Sequence, residues 1–397
     1  QEAANNSENL TTILPNHQHR QENCPMKFTI DRDTLQKELT FVQGVVERKN
    51  TIPILANVLI ESASKESVRI SGTDLDVTIH TNAIVEQMAA EGSICVPARK
   101  LFDIARLLPP GSVTFTRTDN DWVIVQSASS TFKLPGIAKE TFPDLPAFKA
   151  TPLSINASLL KTLIDESIFA ITQEEGRYTL SGAKLEIENG RARMVTTDGH
   201  RLVKVDADSA VKTETNGLLE ALIPRKTLAE LTKVVAGFEG DVNFGMDENH
   251  IYFQVGTRTV ISRMLAGQFP NYEMVLPKNN DNTVTFGRVA LNQALKRVAL
   301  MADDRSQSIV LEIGEDQTVI SAQSPEEGEG SEIVTSKLAG ANVKIGFNAS
   351  YLQDVLNCLS SEEVIFTFKD SHTQTEFRPA IENGHRFCGI VMPMRTE

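Results

Sequence analysis

Apolar residues recur along this chain at two spacings, and the two alternate. In LFDIARLL (residues 101–108), LAELTKVV (228–235) and YLQDVLNCL (351–359) they fall at i, i+3, i+4 and i+7, as in a helix that buries one face. WVIVQS (122–127), RARMVT (191–196) and TVISAQ (318–323) show the β-branched content of half-buried strands. The order is the same three times: a short strand, a helix, alternating strands, a second helix and further strands. The pattern predicts an α+β fold in which each unit lays two amphipathic helices on one face of an antiparallel sheet.

The units are copies of one another. ICVPARKLFDIARLLPPGSVTF (94–115) resembles LIPRKTLAELTKVVAGFEGDVNF (222–244), with Arg99-Lys100 and Arg225-Lys226 lying 126 residues apart. GFNASYLQDVLNCLSSEEVIFTF (346–368) is a third version. TFPDLP (141–146) answers QFPNYEMVLP (268–277), and GTDLDVTI (72–79) answers TTDGHRLV (196–203). This long period predicts three tandem domains, at 26–147, 148–277 and 278–397, separated by the proline-containing linkers PDLPAFKATP and VLPKNNDN. Residues 1–25 are polar, rich in Asn and Gln and without an apolar stretch of the secretory kind, and read as a disordered extension.

Composition narrows the class. Of 397 residues 41% are hydrophobic, and no apolar run approaches the roughly 20 residues of a membrane span, which argues for a soluble, cytoplasmic protein. Cys24, Cys95, Cys358 and Cys388 are far apart with no histidine at zinc spacing, so reduced thiols are expected and neither metal nor cofactor is. The net charge of -13 argues against nucleic acid until the cations are located. Arg48 and Lys49 follow the first helix, Arg99, Lys100 and Arg106 lie on the second, Lys161 on the third, Arg225, Lys226 and Lys233 on the fourth, Lys296 and Arg297 on the fifth. Five of six predicted helices carry cations, two of them in a first turn where each opposes the helix dipole by roughly 0.3–1 kcal/mol. That repeated penalty leaves two readings open, a solvated helix face or an anion beside the helices, and the anion would be nucleic acid held through its phosphate backbone without base reading.

The densest polar chemistry is TTDGHRL (196–202). Asp198, His200 and Arg201 together admit a hydrolase or transferase, but no G-x-S-x-G elbow, H-E-x-x-H pair or phosphate-binding glycine loop accompanies them. The matching turn is TDLDVTI in the first copy and SPEEGEGSE in the third, so the aspartate is scaffold and Gly199-His200-Arg201 is particular to the second.

From Met26 to Arg395 the chain resembles the bacterial β sliding clamps, the processivity subunits of DNA polymerase III. The resemblance rests on MKFTI, TIPILANVLIE, GTDLDVTI, VPARKLFDI, TTDGHRL, IPRKTLAEL, QFPNYEMVLPK, IGFNASYLQDVL and VMPMR, in that order. It implies a nonenzymatic, head-to-tail homodimer: a ring whose helices line a hole threaded by double-stranded DNA and whose sheets form the rim. It implies DNA-contacting loops at Lys49 and at Arg177-Tyr178, where Thr179 replaces the family's frequent second aromatic. Leu300 and Met301 match the subunit interface, with DWVIVQS (121–127) expected as the opposing edge strand. It further implies a cleft between the second and third domains for Gln-Leu-x-Leu-Phe-type segments of polymerases and of an ATP-driven clamp loader. The matching positions are Leu180, Thr197, Gly199, His200, Arg201 and Leu202, then Pro270 and Val275, then Asn348 and Tyr351, and finally Val391, Met392, Pro393, Met394 and Arg395. Leu180, Leu202, Val275 and the methionines would supply adaptable apolar walls, and His200, Arg201 and Asn348 a polar rim. The chain ends in Thr396-Glu397 where the family commonly has an apolar residue.

Overall fold

A computed structural model describes residues 26–46, 52–146, 153–174, 176–212 and 217–395. Among these residues six helices of nine to eleven residues recur in pairs: α1 (Arg32–Val42) packs on α2 (Ala98–Leu107), α3 (Ala157–Asp165) on α4 (Arg225–Val235), and α5 (Arg288–Val298) on α6 (Ala349–Cys358). Local chemistry sets their starts. Asp31, Asn156 and Asn348 accept from free N–H groups of the first turns of α1, α3 and α6, whereas α2 and α4 begin directly after Pro97 and Pro224. Each helix turns its apolar face to a sheet, Leu101 and Ala105 from α2 and Leu228, Leu231 and Val235 from α4 being buried.

Among the described residues the strands form antiparallel sheets of five, eight and twelve members, and the two larger ones run across the boundaries between repeats. Val77–Ile84 of the first repeat pairs with Arg258–Arg263 of the second, from Val77 opposite Ser262 to Thr81 opposite Arg258. Arg201–Ala207 of the second pairs with Arg386–Val391 of the third, from Arg201 opposite Val391 to Asp206 opposite Arg386. Both joints follow one rule. The third strand after a repeat's first helix meets the third strand after the next repeat's second helix.

Two strands of this kind remain. Ser130–Pro135 is an edge of the five-stranded sheet, and residues 328–335 pair with Gln317–Ser324 on one side only among the described residues. This corrects the expected edge: Trp122–Ser127, within DWVIVQS, is an inner strand, bonded to Ser112–Arg117 and to Ser130–Pro135. Alternation of apolar residues reports a strand's faces and not its neighbours.

Candidate functional site

The turn between strands Arg191–Thr197 and Arg201–Ala207 is braced by its own side chains. Asp198 Oδ1 accepts from the N–H groups of His200 at 2.9 Å and Arg201 at 3.0 Å. Thr197 Oγ1 accepts from Gly199 N–H at 3.1 Å and donates to the Arg201 carbonyl at 2.6 Å. Gly199 sits at φ +90°, in the left-handed region that glycine enters without a Cβ penalty. The Asp198 carboxylate thus braces the turn that carries it.

Arg201 corrects the expectation of a rim donor. Its side chain is only 9% exposed, and the guanidinium spreads over four anchors: Asp198 Oδ2 at 3.0 Å, Asp354 Oδ2 of α6 at 2.6 Å, the Phe169 carbonyl at 2.9 Å, and the face of Tyr351 at 4.5 Å. It fastens the second repeat to the third. Asn348 is likewise engaged, accepting from Tyr351 N–H at 3.2 Å and donating to the Ser306 carbonyl at 3.0 Å. Of the expected polar rim, His200 is left exposed, its ring stacked beside Tyr351 at 6.3 Å between centroids.

The remaining cleft residues converge on this turn from three elements. The closing segment returns to it, with Met392 N–H donating to the His200 carbonyl at 3.0 Å and Met394 N–H to the Gly346 carbonyl at 2.8 Å. Val391 is buried, Met392 and Arg395 are exposed, and Pro393 and Met394 are half-buried. Leu202 belongs to a small apolar cluster with Val195, Tyr272 and Ile390, against which Phe269, Val275 and Leu276 pack; Pro270 stands exposed between them in the chain. Half-buried Leu180 ends a short turn begun by Arg177, and Arg177 Nη1 donates to the Asp198 carbonyl at 2.6 Å. Arg177, expected at DNA with exposed Tyr178, therefore lies against the cleft turn. Sequence reasoning missed Asp354 and Phe169 because nothing local marks a residue whose partner is 153 or 32 positions away.

The helix cations divide into free and committed. Lys100 and Lys296 are exposed with no ion pair among the described residues, while Arg99 and Arg106 flank Asp103 at 3.9 and 3.6 Å on an exposed helix face. Lys161 pairs with Asp165, Lys233 with Glu230 and Arg297 with Glu332. Arg225 donates to the carbonyls of Ile168 and Ile171, and Lys226 pairs with Asp74 of the first repeat. The first-turn cations of α4 thus have structural partners, which corrects the expectation that an anion at that helix start explains them. Arg48, Lys49, residues 1–25 and Thr396-Glu397 lie outside the described residues. Burial pushes the Cys95 thiol up to about 12 and raises those of Cys358 and Cys388, so these cysteines are protonated. Among the described residues no cluster could hold a metal ion and no helix is long and apolar enough to cross a membrane.

Three family models match in succession: the N-terminal, central and C-terminal domains of the DNA polymerase III beta subunit, at residues 26–146, 154–271 and 273–395. The beta sliding clamp of Pseudomonas aeruginosa is 35% identical over 93% of this chain and all of that one, and that of Escherichia coli K12 is 33% identical with the same coverage. The crystal structure of the Pseudomonas aeruginosa clamp bound to griselimycin superposes with a TM-score of 0.89 at 35% identity, covering 94% of this chain and all of that one. The Bacillus subtilis clamp gives 0.87 at 27% identity, with the same coverage. With three tandem repeats, strand-paired joints and this match over the whole described length, the chain belongs to the bacterial β sliding clamp family, the nonenzymatic beta subunit of DNA polymerase III.

Proposed function

We propose that two copies close head to tail into a ring around double-stranded DNA, and that the cleft at TTDGHRL docks short segments of polymerases and of a clamp loader. The observation that carries the ring is the pair of unused strands. Extending the joint rule to a second copy sets Ser130–Pro135 antiparallel to residues 328–335. Carrying the registers of the two internal joints over to this pairing would set Phe132 opposite Gly330 and Lys133 opposite Glu329. Phe132, Ile333 and Leu300 are exposed at these edges, with Met301 packed beside Gly330. Covering each such side chain contributes about 1.5–3 kcal/mol, and an open strand edge is otherwise a hazard for aggregation.

In the ring, the sheets form the rim and the paired helices face the hole, where Arg99, Lys100, Arg106 and Lys296 meet phosphates while the acidic remainder faces out. Retention is topological, so these contacts can be weak enough to slide. In the cleft, Leu202, Leu180, Val275 and Met392 receive the apolar residues of the peptide, and exposed His200 takes a polar contact. Two apolar anchors supply about 3–6 kcal/mol, enough for micromolar docking after the cost of ordering a tail. The soluble composition fits a cytoplasmic, DNA-associated protein.

Analytical ultracentrifugation tests the ring. The wild type is expected as a dimer and Leu300→Glu as a folded monomer, with loaded wild type retained on closed circular DNA and released on linearisation. A wild type monomeric at high concentration defeats the reading. Anisotropy of a labelled Gln-Leu-x-Leu-Phe peptide tests the cleft, with His200→Ala and Met392→Ala each expected to weaken micromolar binding.

A further inference from the structure

The outer faces of the two joints are built on the same registers and differ in what the linker lays over them. In the second repeat Glu186 stands opposite Arg193, and Arg193 opposite Asp206, across three neighbouring strands. Tyr272, from the linker that follows, lies over this row and is 5% exposed. Its hydroxyl donates to Glu186 Oε2 at 2.8 Å and accepts from Arg193 Nη1 at 2.9 Å, while Arg193 Nε donates to Asp206 Oδ1 at 2.6 Å. Tyr272 thereby covers this row of the second repeat.

The first repeat has a matching row, with Asn82 in the place of Asp206 and no tyrosine over it. Glu61 stands opposite Arg69, and Arg69 opposite Asn82, in matching register. Its linker reads Phe142-Pro143-Asp144-Leu145 where the second reads Phe269-Pro270-Asn271-Tyr272, so a leucine occupies the tyrosine's place. A cavity of about 540 Å³ remains over the row, with Glu61, Arg69 and Asn82 on its walls and Leu59, Phe142 and Ile261 as apolar lining. That volume lies in the range of about 300 to 1,000 Å³ typical of ligand sites. The Arg69 Nε bond to Asn82 Oδ1 is long at 3.4 Å, and Glu61 pairs with Lys139 at 3.3 Å, both contacts that an incoming group can replace at little cost.

We propose that this cavity receives a tyrosine side chain on an extended segment of a partner protein, with the hydroxyl set between Glu61 and Arg69 as that of Tyr272 is between Glu186 and Arg193. The molecule's own second copy of the site supplies the template. The apolar lining takes the ring, the carboxylate accepts from the phenol and the guanidinium donates to it. A phenylalanine would leave both charged groups facing an apolar edge. Neither ring closure nor the peptide cleft is needed for this site to form.

The probe is a fluorescein-labelled peptide copying residues 269–274, Phe-Pro-Asn-Tyr-Glu-Met, titrated by anisotropy against the full chain. Sub-millimolar binding is expected, about tenfold weaker for the peptide with phenylalanine in place of tyrosine and for Arg69→Ala. Leu145→Tyr should fill the cavity from within, abolish binding and keep or raise the melting temperature. Met392→Ala, at the other joint, should bind as wild type. Equal binding of the two peptides, full binding by Leu145→Tyr, or no wild-type binding at millimolar peptide overturns the proposal.

Discussion

The joint between the first and second repeats and the joint between the second and third share a backbone solution and differ in everything fastened across it. At the first, Glu38 of α1 takes Arg258 in a two-pronged bond at 2.9 and 2.6 Å, the guanidinium lies 3.9 Å over Phe41, and Asp74 pairs with Lys226. At the second, the residue matching Val77 is Arg201, which reaches Asp354, and His385 and Arg386 bond Glu166 and Asp208, each at 2.8 Å. One joint closes its turn side with ion pairs and leaves its outer face hollow. The other covers the matching row of its outer face with Tyr272 and ties its turn to the third repeat through Arg201 and Asp354. A repeated fold can thus carry different sites at equivalent places, because strand pairing fixes the frame and side chains decide which surface is filled.

Removing the central arginine of each joint should separate their roles. We expect Arg201→Ala to cost about 3 kcal/mol, since Asp198 and Asp354 lose their counter-charge, and to abolish binding of the Gln-Leu-x-Leu-Phe peptide because Tyr351 loses its support. Arg258→Ala should cost about as much by stranding Glu38, yet leave peptide affinity unchanged. Urea denaturation and anisotropy read the two quantities, and equal losses of peptide affinity would collapse the distinction. A smaller effect is expected of Gly199→Ala, about 1–2 kcal/mol from a side chain forced to φ +90°, with Arg177 displaced from the turn.

The smallest and most discriminating effect is in pH, where the joints carry histidines of opposite sign. Burial, then Arg69, lowers the His80 pKa from 6.5 to about 4, so the unfolded chain takes up a proton first. Its contribution is present above pH 6.5 and is lost as pH falls toward 4. The hydrogen bond to Glu166 raises the His385 pKa, so its contribution is full below the ordinary histidine value and is lost as pH rises through the raised one. Melting temperatures from pH 4 to 8 should show His80→Gln flattening the acid limb and His385→Gln the neutral limb. Exchanged effects would invert the assignment.

How far the sequence reached can be seen residue by residue. Leu101, Leu228 and Leu352 were legible as buried helix positions because helical spacing is local, and all three are 0% exposed. TTDGHRL was legible as a distinctive turn, and its neighbours Met392, Val275 and Tyr351 came from resemblance to a family. The roles inside it were not legible: Arg201 read as a free donor, and its engagement depends on Asp354 and Phe169, brought to it only by packing. Lys226 read as a DNA-facing cation for the same reason, its partner Asp74 lying 152 positions back.

By itself the sequence determined the three repeats, the six helices, the α+β class and the family, all carried by short-range periodicity and by motifs that recur in order. Tertiary structure alone decided that Ser130–Pro135 and not Trp122–Ser127 is the open edge, which cations are spent on ion pairs, and that Leu145 leaves a cavity where Tyr272 fills one. The physical reason is range. Periodicity records which face of an element is buried, whereas an edge, an ion pair or a cavity is a relation between segments that the chain brings together only by folding.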